Sequence, residues 1–361
     1  MTKKPNNPIS LFVLSVFSVA VVSSAHATVN CAGYLPSSYF QRIESNKKLT
    51  GKLIEQTDGT QQLQNADGKV IIEGLTNAHI VMDKYVLGQR LDRSDNRHAA
   101  KNYGVVNTAG KTIVPFKYDD IQTQPDIATS FIVSVNTENG SVKQGIINRH
   151  GEWVYPLTDA HIQHAHYDSH YDQDYFIVTH SSEKLSDQRQ TGLLDDRGYW
   201  AIMPQYDAIV PLNACTGQLL YMQVNLQNES ALIDQNNDII IPFAPNQHIE
   251  SFNNATSPLL FLHSRLRTGS TATGMSEDIQ DEIISAQIID ASGKRLISSE
   301  SPISKLLYHQ LYTYKQAGKY GLLNDQGDVI LKPQFDRYRD EGEQVRFEEN
   351  GKLIPLERLL D

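Results

Sequence analysis

The feature that most constrains this chain is a pattern that returns along it. The fullest copy covers residues 101–119. It begins Lys101-Asn102-Tyr103-Gly104-Val105-Val106-Asn107, turns through Ala109-Gly110-Lys111, and ends Thr112-Ile113-Val114-Pro115-Phe116-Lys117-Tyr118-Asp119. Residues 319–336 repeat it, from Lys319-Tyr320-Gly321-Leu322-Leu323-Asn324 through Gly327 to Pro333-Gln334-Phe335-Asp336. Two further copies run from Gly192-Leu193-Leu194-Asp195 to Tyr206-Asp207 and from Gly145-Ile146-Ile147-Asn148 to Pro156. Looser ones lie at 63–72, 231–242 and 287–297. The Gly104 slot recurs at Gly145, Gly192, Ala231, Gln287 and Gly321, a mean step of about 43 residues.

The pattern is that of a β-hairpin. An apolar pair followed by Asn or Asp ends one strand, because these residues tolerate turns. Gly110 and Gly327 supply positive φ before the chain returns. The returning strand is apolar and β-branched, and Pro is expected to stop it. Segments such as 130–135, 175–179, 118–121 and 206–209 read as additional strands. Gly104 and Gly321 sit beside an aromatic, where an added side chain is expected to strike the neighbouring repeat. About seven such repeats predict an all-β, propeller-like array, with a β-hairpin solenoid as the competing architecture.

The succession of aromatic-Gly-apolar-apolar-Asn/Asp, turn Gly, Ile-Val-Pro and Tyr-Asp resembles the WG-repeat family of bacterial exported β-repeat proteins. Tyr103 and Tyr320 occupy the place of the family's Trp, and Gln144 and Thr191 occupy it in two other copies. The resemblance covers roughly residues 60–340. It implies an exported repeat scaffold and carries no catalytic residues.

Residues 1–27 read as a signal peptide. Lys3 and Lys4 precede an apolar run from Leu11 to Val22, and Ala25-His26-Ala27 is a small-x-small cleavage site. Cleavage after Ala27 predicts a periplasmic or secreted protein without membrane insertion thereafter. Residues 28–60 read as a lead-in with a short helix near Tyr39 to Lys48, and 61–361 as the repeat domain. In an oxidising compartment Cys31 and Cys215, the two cysteines of the chain, are expected to form a disulfide. A net charge of −10 argues against nucleic acid and anionic lipid as partners.

The densest polar cluster runs from His161 to Asp172. On an uninterrupted strand His164, His166, Asp168 and His170 would share one face, a donor set suited to a transition-metal ion. No other cofactor is indicated. Trp153 and Trp200 occupy equivalent places and are expected to pack between repeats. Asp119, Asp207 and Asp336 recur after an aromatic, which points to turn capping. Motifs for a serine nucleophile or a zinc protease are missing from the sequence. The reading is a non-catalytic scaffold that binds a protein or an envelope polymer; the rival is a hydrolase of carbohydrate or peptide at the propeller mouth.

Overall fold

The computed structural model describes residues 51–81, 84–91, 101–107, 109–123, 130–168, 173–181, 189–212, 219–253, 259–267, 282–307 and 309–360. The segments expected to be signal peptide, lead-in helix and both cysteines lie outside them.

The apolar pair before each Asn or Asp explains the architecture. Side chains alternate across a strand, so two successive apolar residues face opposite sides, and both sides must be covered. Ile146 packs against the third sheet while Ile147 packs against the first. Leu193 and Leu194 divide in the same way between the fourth and second sheets. So do Leu232 and Ile233, Ile288 and Ile289, and Leu322 and Leu323. In each pair the first residue meets the following sheet and the second the preceding one. The fold is therefore a succession of stacked sheets.

Among the described residues, seven antiparallel sheets follow one another in sequence order. The first has six strands and joins two hairpin repeats through the long strand Val70–Val81. The next five have four strands each, and the seventh has three, Arg337–Glu341, Gln344–Glu349 and Lys352–Pro355, followed by the short helix Glu357–Leu360. This all-β, propeller-like build has four-stranded units in place of two-stranded solenoid rungs. The first sheet already begins at the strand Gly51–Glu55, paired with Gln61–Asn65, ahead of the expected start of the repeats. Six apolar clusters each link neighbouring sheets, and a seventh lies within the first sheet. None of these clusters, among the described residues, joins the seventh sheet to the first.

All seven hairpins form, the loose copies included. In each, one side-chain oxygen accepts two backbone N–H groups. Asn107 Oδ1 accepts from Ala109 at 3.0 Å and Lys111 at 2.9 Å. Asn65, Asn148, Asp195, Asp234, Asp290 and Asn324 do the same. Gly110 and Gly327 follow with φ of 86° and 76°, and Asn237 holds this place in the fourth sheet at 69°.

Two expectations are corrected. Pro does not end the returning strand: Pro115, Pro204, Pro242 and Pro333 lie inside Thr112–Tyr118, Trp200–Tyr206, Ile239–Pro245 and Val329–Phe335. The register shifts there, and a bulged edge strand needs no ladder donor at that point. The bulge also explains the glycine slot. A Cβ on Gly321 would meet Leu331 O and Tyr314 Cε1 at 2.6 Å, and one on Gly104 would meet the Phe116 ring at 2.5 Å. The colliding atoms belong to the glycine's own sheet and not to the next repeat.

Candidate functional site

The recurring carboxylates are structural. Asp119 Oδ2 accepts Asn136 N–H at 2.6 Å, Asp207 accepts Gln227 N–H at 2.7 Å, and Asp336 accepts Asn350 N–H at 3.0 Å. Each residue follows the last strand of one sheet and caps a hairpin of the next. Glu300 does this between the fifth and sixth sheets, accepting from Ala317 and Gly318. Sequence comparison misses Glu300 because its repeat lacks the preceding aromatic.

The remaining polar concentration is the strand His161–Asp168 and its partner Gln173–Ser181. His164 lies opposite Phe176, whereas His166 lies opposite Tyr175, so one residue is bulged between them. That extra residue reverses the alternation. His164 consequently faces the second sheet, and His166 and Asp168 face the fourth. The face expected to be shared by all of them is not formed, and His170 lies outside the described residues. No group of three His, Cys, Asp or Glu placed to hold a metal occurs among the described residues.

Toward the second sheet, His164 Nε2 bonds the fully buried Asp174 at 2.8 Å. The carboxylate accepts from Nε2–H, which leaves Nδ1 as the basic nitrogen. The imidazole stands edge-on to Phe176 and borders a cleft of about 140 Å³ that Ser130, Thr123 and Gln122 also line. The hairpin register alone brings Asp174 to His164; pairing the two strands in the sequence would have been the signal.

Toward the fourth sheet, the polar groups are committed to one another. Asp195 Oδ2 accepts from Gln173 at 2.7 Å and from Arg197 Nη2 at 2.9 Å, while its Oδ1 caps the turn. Asp168 accepts from Gln235 at 3.2 Å. Burial, reinforced by Asp168 and Asp195, pushes the Tyr175 hydroxyl up to about 12, so it stays protonated.

The aromatic places divide. Trp200 packs on Tyr155 of the second sheet at 6.1 Å. Trp153 reaches Tyr118 of the first sheet at 6.5 Å but remains 47% exposed. The slot of Trp153, first in the returning strand, also holds exposed Val70, Ile239 and Val329.

No curated protein matches the chain in sequence. Solved structures resemble it distantly. A eukaryotic initiation factor is 15% identical with a TM-score of 0.39, over 69% of this chain and 62% of that one. The β-propeller domain of the Trilobed protease from Pyrococcus furiosus is 9% identical with a TM-score of 0.24, over 84% and 86%. Apo AztD from Citrobacter koseri is 10% identical with a TM-score of 0.26, over 80% and 86%. The WG containing repeat matches residues 103–123 and 320–343, the segments of the two clearest copies, and the chain is thus a carrier of WG repeats at those two places.

Proposed function

We propose that the protein is an exported, non-catalytic repeat scaffold that binds another protein or an envelope polymer. One observation carries this reading. The carboxylates that recur are consumed in turn caps, whereas four of the seven copies of the slot that opens the returning strand expose an apolar side chain, Val70, Trp153, Ile239 and Val329, with Thr112 and Arg295 exposed in two others and Trp200 half-buried. Stacked repeats make extended binding surfaces, and a recurrent exposed apolar slot gives such a surface its contacts. Export rests on residues 1–27, and mature protein should begin at Thr28; the Cys31–Cys215 bond would then be read by thiol labelling. Co-purification from envelope extract tests the binding: a partner retained by the wild-type chain and lost on Trp153→Ser with Ile239→Ser supports the scaffold, and no retained partner counts against it.

The hydrolase reading draws on His164. A carboxylate-held imidazole beside Ser130 and Thr123 in one cleft is the arrangement of a general base. Turnover of glycan or peptide substrates that disappears in His164→Ala would favour it.

A further inference from the structure

A second opening, of about 680 Å³, lies in the first sheet where the strand Val70–Val81 changes direction. Gly74 and Asn77 adopt positive φ of 72° and 51°, and Leu75 passes from pairing with Gln61 to pairing with Arg90. The bend is pinned on both sides. Gln61 Oε1 accepts Ala78 N–H at 2.7 Å, and Asn77 Nδ2 donates to Gln89 at 2.9 Å. Asp58 at the rim accepts from both the Thr60 hydroxyl and its N–H, which holds its carboxyl below the usual range. The cleft is therefore formed before any ligand arrives.

The side chains that line it, among the described residues, carry polar groups. Gln56 and Gln62 bring carboxamides, Thr57 and Thr60 hydroxyls, Asp58 and Glu73 carboxylates, and Arg90 a guanidinium; among the described residues the lining has no aromatic or aliphatic hydrocarbon side chain. We propose that this cleft binds a neutral, hydroxyl-rich oligosaccharide. A sugar hydroxyl both donates and accepts, and the wall offers both acceptors and donors. Two carboxylates against one guanidinium leave the wall net negative, which disfavours acidic ligands. The inference rests on the scaffold reading and narrows its ligand, at this place, to a glycan.

Titration of the full chain with chitotetraose and with xylotetraose, followed by calorimetry, tests it. At least one should bind at a single site, and Glu73→Ala or Arg90→Ala should weaken it at least tenfold. Both side chains are exposed, so both variants should keep the wild-type melting temperature. Lys352→Ala, in the seventh sheet, should leave binding unchanged. Absence of binding by both sugars overturns the proposal. So does binding that neither variant weakens, or tighter binding of a tetragalacturonate or of a peptide. If envelope partners are still retained by both variants while no sugar binds, the glycan inference falls and the scaffold reading stands.

Discussion

Asn107 shows how much one side-chain oxygen can carry. It satisfies two turn N–H groups that would otherwise depend on water, and the six equivalent residues do the same. Asn107→Ala should lower stability by about 1–2 kcal/mol. Asn107→Asp should be nearly neutral, because Asp195, Asp234 and Asp290 make the same pair of bonds. Urea denaturation of both variants checks this. Gly321 is constrained more tightly, since Leu331 O and Pro333 N leave no room for Cβ. Gly321→Val should cost at least ~2 kcal/mol. Lys319, two residues earlier, pairs with Asp336. That pair is largely exposed, so Lys319→Ala should stay within about 1 kcal/mol. Equal denaturation midpoints for the two variants would contradict this account of the slot.

At the scale of the strand, the apolar pair commits each hairpin to two neighbours. Leu193 is fully buried between the third and fourth sheets, and Leu193→Ala should cost about 2–5 kcal/mol by leaving a cavity there. His263, on the strand Leu260–Arg267, marks a different kind of contact. Gln247 uses its amide N–H groups on Ser230 O and Pro242 O, so its Oε1 accepts from His263 Nε2 at 2.7 Å. Nδ1 is then buried with no partner. Burial first, and Arg265 second, hold this imidazole below its ordinary value of 6.5. The unfolded chain therefore takes up the proton more readily than the folded one. The contribution is complete above pH 6.5 and declines as pH falls from there toward the lower folded value. Urea midpoints should drop between pH 7.5 and 5.5 by more in the wild type than in His263→Gln; parallel declines would show that His263 is not the sensor.

Across the whole molecule, cohesion passes from neighbour to neighbour. The seventh sheet covers Phe335 of the sixth with Val345 and Phe347, the two phenyl rings 4.9 Å apart. Its opposite face carries Arg337, Arg339 and Arg346 with Glu348, and Arg337 pairs with Glu348 at 3.0 Å. A charged outer face is what a terminal unit of a stacked array requires. A chain ending at Asp336 should therefore lose hydrogen-exchange protection first in the strands Leu311–Gln316 and Lys319–Asn324. The second and third sheets should keep theirs. Uniform loss across all sheets would mean that the array unfolds as one cooperative body.

The sequence alone determined the hairpin, its turn glycines and its period, because these depend on contacts a few residues apart. Gly110 needs positive φ whatever surrounds it, and Asn107 caps the turn that it begins. The apolar pairs also announced strands covered on both faces. Tertiary structure decided whatever depends on register. One bulged residue between His164 and His166 turned an expected shared face into two opposed ones. Hairpin pairing brought Asp174 to His164, and stacking of the sheets set Glu300 against Ala317 and Gly318. A side chain's partner across a sheet is set by a single step of strand slippage, and the periodicity of one strand does not encode that step.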